Sequence, residues 1–166
     1  RGQARLNLGV LYLDIGDLDR AVATFKEGLE IAAQAQDELQ RTGFLNNMAI
    51  VHMERHRPDQ ALEIYEQLLE MHRASGDVSN QSTILNNMAL ASEMMGQYQQ
   101  AQVMLEQCLQ LSSEQDIEDN TARINLGRRV ALNESPREGE PYLREAIRIA
   151  RERGAALQRG DAHAEL

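Results

Sequence analysis

The run Leu45-Asn46-Asn47-Met48-Ala49 returns almost unchanged forty residues later as Leu85-Asn86-Asn87-Met88-Ala89. Outward from its Met-Ala pair, the same phase holds Leu8-Gly9 before it and Leu126-Gly127 after it, at steps of 40, 40 and 38 residues. Thirteen residues beyond each Leu or Met stand Ala21, Ala61, Ala101 and Gly139; seventeen beyond stand Phe25, Tyr65, Leu105 and Leu143; twenty-one beyond stand Leu29, Leu69, Leu109 and Ile147. Small residues recur where small ones are needed, and large where large are needed. A phase kept over four units marks a repeat architecture.

Within each unit the apolar spacing is helical. Leu8, Leu11 and Ile15 share one face, as do Ala21, Phe25, Leu29 and Ala32. Between them, Gly16-Asp17 reads as a helix stop followed by an acidic start, and the corresponding stretch of unit two carries Pro58, suited to a first helical turn. Each unit is therefore two helices joined by a tight turn. One hairpin cannot bury its own apolar face, so neighbours must stack.

Composition agrees. Aromatics at 4%, no Trp and three prolines in 166 residues disfavour a turn-rich β protein. The net charge of −9 argues against nonspecific nucleic-acid binding, which needs Lys and Arg against phosphate. One Cys excludes a disulfide framework and a Cys-based zinc site. No apolar run is long enough to span a membrane.

At Leu8-Gly9, Tyr12, Gly16, Ala21, Phe25 and Gly28-Leu29 the chain resembles the tetratricopeptide repeat family. The usual repeat of that family has about 34 residues. The longer period here is similar to the repeats of the LGN/Pins adaptors, kinesin light chains and bacterial Rap-type and MalT-type regulators. The resemblance implies an all-α fold, a right-handed α-solenoid of antiparallel helix hairpins. The expected units are 1–40, 41–80, 81–118 and 119–158, with 159–166 opening the first helix of a fifth, as in a segment cut from a longer array. The two-residue deletion falls near Ser112 to Asp119. Ser135-Pro136 reads as a helix start, and Pro141 inside that helix predicts a late start or a kink.

The resemblance also places the binding face. In the family the first helices line a concave groove, with groove-facing side chains just before the Leu-Gly pair and two residues after it. Those positions hold Asn7, Asn47, Asn87 and Asn125, then Val10, Ile50, Leu90 and Arg128. Asn is about 0.7 kcal/mol worse than Ala in a helix interior, so four at one phase point to a task. Its amide offers both donor and acceptor, as a peptide backbone does. Two readings stand side by side: the Asn row grips an extended peptide, or each Asn links adjacent repeats. Met53 and Met94, with Leu13 and Leu132, extend the floor as soft apolar contacts, with inter-helix packing as the alternative. Only Arg5, Arg128 and Arg129 are obvious cations for a carboxylate clamp, which is therefore disfavoured.

Charge is uneven. From Ala74 to Ala122 there is no Lys or Arg, and the following stretch is crowded with Arg. Lys26 is the single lysine among 17 basic residues, a bias that points to a GC-rich bacterial genome. Cys108 occupies the packing slot of Gly28 and Leu68. His52 and His56 are four apart, but His52 fills the Tyr12 slot and the run lacks the HExxH order. His72 and His163 have no partners at useful spacing. No catalytic set, metal site or cofactor site is read. The expected function is a cytoplasmic module that binds a protein or peptide partner, contacting neither nucleic acid nor membrane, as part of a larger scaffold. The alternatives are a ligand-sensing segment of a bacterial signalling protein or transcription regulator, and self-association into a homo-oligomer through the array ends.

Overall fold

The structure is a computed structural model that describes residues 2–114 and 120–164, with side chains described as far as Glu152. Its described residues form eight helices: α1 (Gly2–Asp14), α2 (Leu18–Ala35), α3 (Glu38–Glu54), α4 (Pro58–Ser75), α5 (Val78–Met94), α6 (Tyr98–Glu114), α7 (Asn120–Asn133) and α8 (Pro136–Ala164). Each helix packs on the next, giving four antiparallel hairpins stacked as an all-α solenoid.

The turns repeat as faithfully as the helices. Eight residues after each of the first three Leu/Met positions the backbone turns left-handed, at Gly16 (φ 76°), His56 (φ 55°) and Gly96 (φ 75°). The amide of Gly16 bonds to Leu13 O and that of Asp17 to Tyr12 O, at 3.0 and 2.8 Å. The pairs His56–Met53 and Arg57–His52 repeat this closure, as do Gly96–Glu93 and Gln97–Ser92. The same Schellman geometry ends α2 at Gln36 (φ 52°) and α4 at Gly76 (φ 69°). Asp17, Asp37 and Asp77 then accept from the backbone amides of Arg20, Gln40 and Asn80, capping the next helices. The joints thus fall at Asp37 and Asp77, slightly before the expected unit borders at 40/41 and 80/81.

Size complementarity locks the helices. A Cβ on Gly9 would lie 2.2 Å from the Phe25 ring, and one on Gly28 would lie 2.2 Å from Phe44. Phe25 thus seats against α1 within its hairpin, while Phe44 seats in a notch on α2 and joins unit two to unit one. The two rings tilt against each other at 6.4 Å. Tyr65, in the Phe25 slot, is buried, and burial pushes its phenol up to about 12. Cys108 is buried as its slot predicts, and its thiol donates to Ser82 O at 3.3 Å.

Unit four differs from the expected late start and from the expected fifth unit. Helix α8 opens ten residues after Leu126, as α2, α4 and α6 open ten after Leu8, Met48 and Met88, so there is no late start. Pro141 lies inside it and is helical on both sides. Close approach is supplied by Gly139: a Cβ there would meet Gly127 O at 2.3 Å. The second departure concerns the fifth unit expected at 159–166. Among the described residues it opens no helix of its own, because α8 continues through Gly154 and Ala155 to Ala164. At Gly76 the next residue, Asp77, caps a new helix. At Gly154 the next residue is Ala155, which offers no side-chain acceptor, and a helix tolerates an interior Gly at about 1 kcal/mol. The deletion lies mostly at 115–119, outside the described residues.

Candidate functional site

The first helices α1, α3, α5 and α7 carry the candidate site, and repeat register assigns each of its side chains. The four Asn residues do not behave alike. Asn7 is exposed and accepts from Gln3 within α1 at 3.0 Å. Asn47 is half-buried and donates to Gly43 O of its own helix at 2.8 Å. Asn125 donates from Nδ2 to Oδ1 of Asn86 at 2.8 Å, linking α7 to α5. The Asn87 side chain makes no hydrogen bond among the described residues.

In register, Asn87 stands to Asn46 as Asn125 stands to Asn86. Between units three and four this pair is closed. Between units two and three it is open, and Oδ1 of Asn46 is buried without a partner. Asn46 and Asn86 therefore join the candidate row, although they stand one residue before the positions read from the sequence. The doubled Asn of the LNNMA phrase was the available signal.

The apolar members also divide. Val10 packs against the cluster of Phe25, Phe44 and Val51, and Ile50 is half-buried. Leu90 is half exposed and lines a cavity of about 250 Å³ between α5 and α7, together with Asn86, Glu93, Asn125 and Arg128. Met53 belongs to the floor less than to the core, because it packs against the cluster around Tyr65 and Leu85. Leu13 packs inward likewise. Met94 is exposed but lies one residue out of register with Met53, and Leu132 is exposed with it. The register partner of Leu13 and Met53 in unit three is Glu93.

That substitution changes the joint. Glu93 Oε1 lies 2.6 Å from Arg129 Nη2 and accepts from Arg129 Nε at 2.8 Å. Arg129 is buried, and its guanidinium sits 4.6 Å over the Tyr98 ring. Its register partners Val51 and Ala91 are fully buried and apolar. The joint between units three and four is thus held by a shielded ion pair, where at the first joint Leu13 packs against the cluster that holds Val51. Arg128 is looser, 3.6 Å from Glu93 Oε2, and it faces the cavity. Arg5 pairs with Glu27 at the other end.

The histidines do not converge. His56 is an exposed turn residue, while His52 is half-buried with Nδ1 unpartnered. Burial holds the His52 imidazole below its ordinary value, and the charges of Arg55 and Arg57 push the same way. His72 lies 3.7 Å from Asp77. Among the described residues no group of three His, Cys, Asp or Glu is placed to hold a metal ion. Among them, too, no helix is long and apolar enough to cross a membrane. Among the described residues the face presents amides, apolar side chains and the Arg128 guanidinium.

Two family profiles described as tetratricopeptide repeat match residues 42–114 and 2–34. A profile described as anaphase-promoting complex subunit 5 matches residues 96–157. No curated protein matches in sequence. The chain is similar to the nearly identical TPR-like repeats of a kinesin light chain from Podosopora anserina. The TM-score is 0.73 at 18% identity, over 90% of this chain and 74% of that one. It is also similar to BtubC (BKLC) from P. vanneervenii, with TM-score 0.78 at 20% identity, over 92% of this chain and 64% of that one. A Rap protein complexed with competence and sporulation factor gives TM-score 0.79 at 14% identity, over 91% of this chain and 43% of that one. At these identities the likeness is one of fold.

Proposed function

The chain belongs to the tetratricopeptide repeat family, and from that premise we propose that it binds an extended segment of a partner protein along α1, α3, α5 and α7. Repeats of this family serve in general as non-catalytic protein-interaction modules, and the module here works in the cytoplasm of a bacterial cell as part of a larger scaffold. The observation that carries the reading is the open Asn46–Asn87 pair. A buried carbonyl oxygen without a donor is costly, and an accessible amide beside it offers both bonding senses. The backbone of an extended peptide supplies both a donor and an acceptor for the half-buried Asn87 amide. Ile50 and Leu90 flank the pair and receive apolar side chains, while Arg128 receives a polar or acidic one.

A random-peptide display library selected on the chain tests this, with the winning peptide titrated calorimetrically. Asn87→Ala should weaken that peptide at least about tenfold, the loss of roughly 1.4 kcal/mol. Selected peptides that bind Asn87→Ala and the parent equally would sink the reading.

A second reading is favoured by the Glu93–Arg129 pair. A joint held by an ion pair can be shifted by a ligand in the adjoining cavity, as a ligand-sensing regulatory segment requires. The similar Rap protein was solved with a bound factor, in keeping with such a role. Hydrogen exchange in α7 and α8 with and without the selected peptide distinguishes the two. A change there supports sensing, and protection confined to α3 and α5 supports plain docking.

A further inference from the structure

Repeat register sets Asp14, Glu54, Met94 and Leu132 in one row, one helical turn beyond Val10, Ile50, Leu90 and Arg128. All four members of the row are exposed. The row changes character along the solenoid: two carboxylates on α1 and α3, then two apolar side chains on α5 and α7.

The two carboxylates stand apart from their acidic neighbours. Asp17, Asp19, Glu27 and Glu38 are each paired with an arginine. Asp14 and Glu54 form no ion pair among the described residues. They are also the last residues of α1 and α3. There the free backbone carbonyls carry the negative end of the helix dipole, so a carboxylate is unfavourable. No basic residue in the last turn of α1 offsets it. A cation arriving from outside meets two side chains and two helix ends of one sign.

The other half of the row suits a different residue. Met94 and Leu132 are 43% and 70% exposed, and Leu90, one turn back from Met94, is 49% exposed. Leu90 and Arg128 line the cavity between α5 and α7. Arg128 lies one turn from Leu132 and disfavours a second positive charge there. Spacing follows from elementary geometry. Neighbouring helices pack at about 10 Å, and an extended chain advances about 3.3 Å per residue. Successive members of the row therefore face partner residues about three apart.

Resting on the reading that an extended segment lies across α1, α3, α5 and α7, we infer that this segment is basic at one end and apolar at the other. Two Lys or Arg residues about three apart sit over Asp14 and Glu54, and two apolar residues at the same spacing sit over Met94 and Leu132.

The random-peptide library, panned on the parent and on the Asp14→Lys, Glu54→Lys double variant, tests this. Lysine suits a helix C-terminus, so the variant should fold, and circular dichroism checks it. Peptides won on the parent should carry the two basic residues and the apolar pair, in either chain direction. Those won on the double variant should carry Asp or Glu in the basic places and keep the apolar pair. A parent-won peptide, titrated calorimetrically, should bind the double variant at least about tenfold more weakly, with a smaller difference at high salt. The control is Glu66→Lys, Glu70→Lys, which reverses two exposed carboxylates on α4 and should change affinity by no more than about twofold. If the first variant does not fold, Asp14→Asn, Glu54→Gln replaces it, and its winners should lose the basic bias. Winners that depend on Asn87 but show no basic bias overturn this inference and leave the groove reading standing. Equal losses on the test and control variants do the same. Winners indifferent to Asn87→Ala, or no winners at all, overturn both.

Discussion

Asn125 donates its amide N–H to Asn86 at 2.8 Å across units three and four, while Asn87 and Asn46, in the same two places across units two and three, are not bonded to each other. One motif therefore serves two purposes, as a tie at one joint and as an open pair of polar groups at the next.

This difference predicts opposite effects of one substitution. Asn125→Ala removes an inter-unit bond and should lower stability by about 1 kcal/mol, partly offset by the better helix propensity of Ala. Asn87→Ala loses no bond and should gain up to about 0.7 kcal/mol from propensity alone. Urea midpoints of the two variants should move in opposite directions. Equal destabilisation would mean that Asn87 is also a tie.

The Glu93–Arg129 pair predicts strong coupling. Breaking a shielded pair from one side is expected to cost about 3 kcal/mol, whereas replacing both members with apolar residues is near neutral. The joint between units two and three supplies the replacement in register: Glu93→Met follows Met53, and Arg129→Ala follows Ala91. Glu93→Met should be the worse single variant, because it strands a buried cation, while Arg129→Ala leaves Glu93 within 3.6 Å of Arg128. The double variant should recover to within about 1 kcal/mol of the parent. Additive losses in the double variant would refute the coupling.

Backbone strain at His56 and Gln36 predicts stabilising replacements. Both hold positive φ in places where Gly16, Gly96 and Gly76 are found. A left-handed non-glycine residue costs roughly 1–2 kcal/mol. His56→Gly and Gln36→Gly should each raise the melting temperature, and Gly76→Ala should lower it. A fall in melting temperature for His56→Gly would indicate a side-chain role that outweighs the strain.

His52 makes stability depend on pH. Its folded value lies below the ordinary 6.5, so the unfolded chain binds the extra proton more readily. The stabilisation is complete above about pH 6.5 and is lost as pH falls through the lower folded value. His52→Tyr, the residue that unit one carries at Tyr12, should flatten the melting temperature across that window. An unchanged slope would assign the dependence to another group.

Gly139 predicts intolerance to a single methyl. The same slot accepts Ala21, Ala61 and Ala101, all fully buried, yet a Cβ at Gly139 would collide with the α7 backbone. Gly139→Ala should destabilise by about 1–3 kcal/mol despite its better helix propensity. A thermal scan reporting a gain would mean that α7 and α8 can separate without loss.

Much of the fold was legible because repetition samples one physical problem four times. Leu8, Met48, Met88 and Leu126 set the phase, and the turns at Gly16 and Gly96 follow from local backbone chemistry. The left-handed His56 was less visible, since nothing in its chemistry announces a glycine position. In the site, the row through Leu13 and Met53 continues to Glu93, although apolar character pointed one residue further, to Met94. A helix rotates about 100° per residue, so a slip of one position turns a side chain from the joint towards solvent. The continuous α8 was hidden for a related reason: Gly154 resembles Gly76, and only the absence of a cap at Ala155 separates them.

The sequence by itself determined the unit, the helices, the turn positions and the small-to-large matching that stacks them, because those depend on contacts at short and regular separation. Only the tertiary structure decided which Asn pair is closed, that Arg129 turns inward to Glu93, and that Leu11 stays exposed where Val51 is buried. Those outcomes depend on what the neighbouring helix presents, and identical residues at identical phase meet different neighbours at each joint.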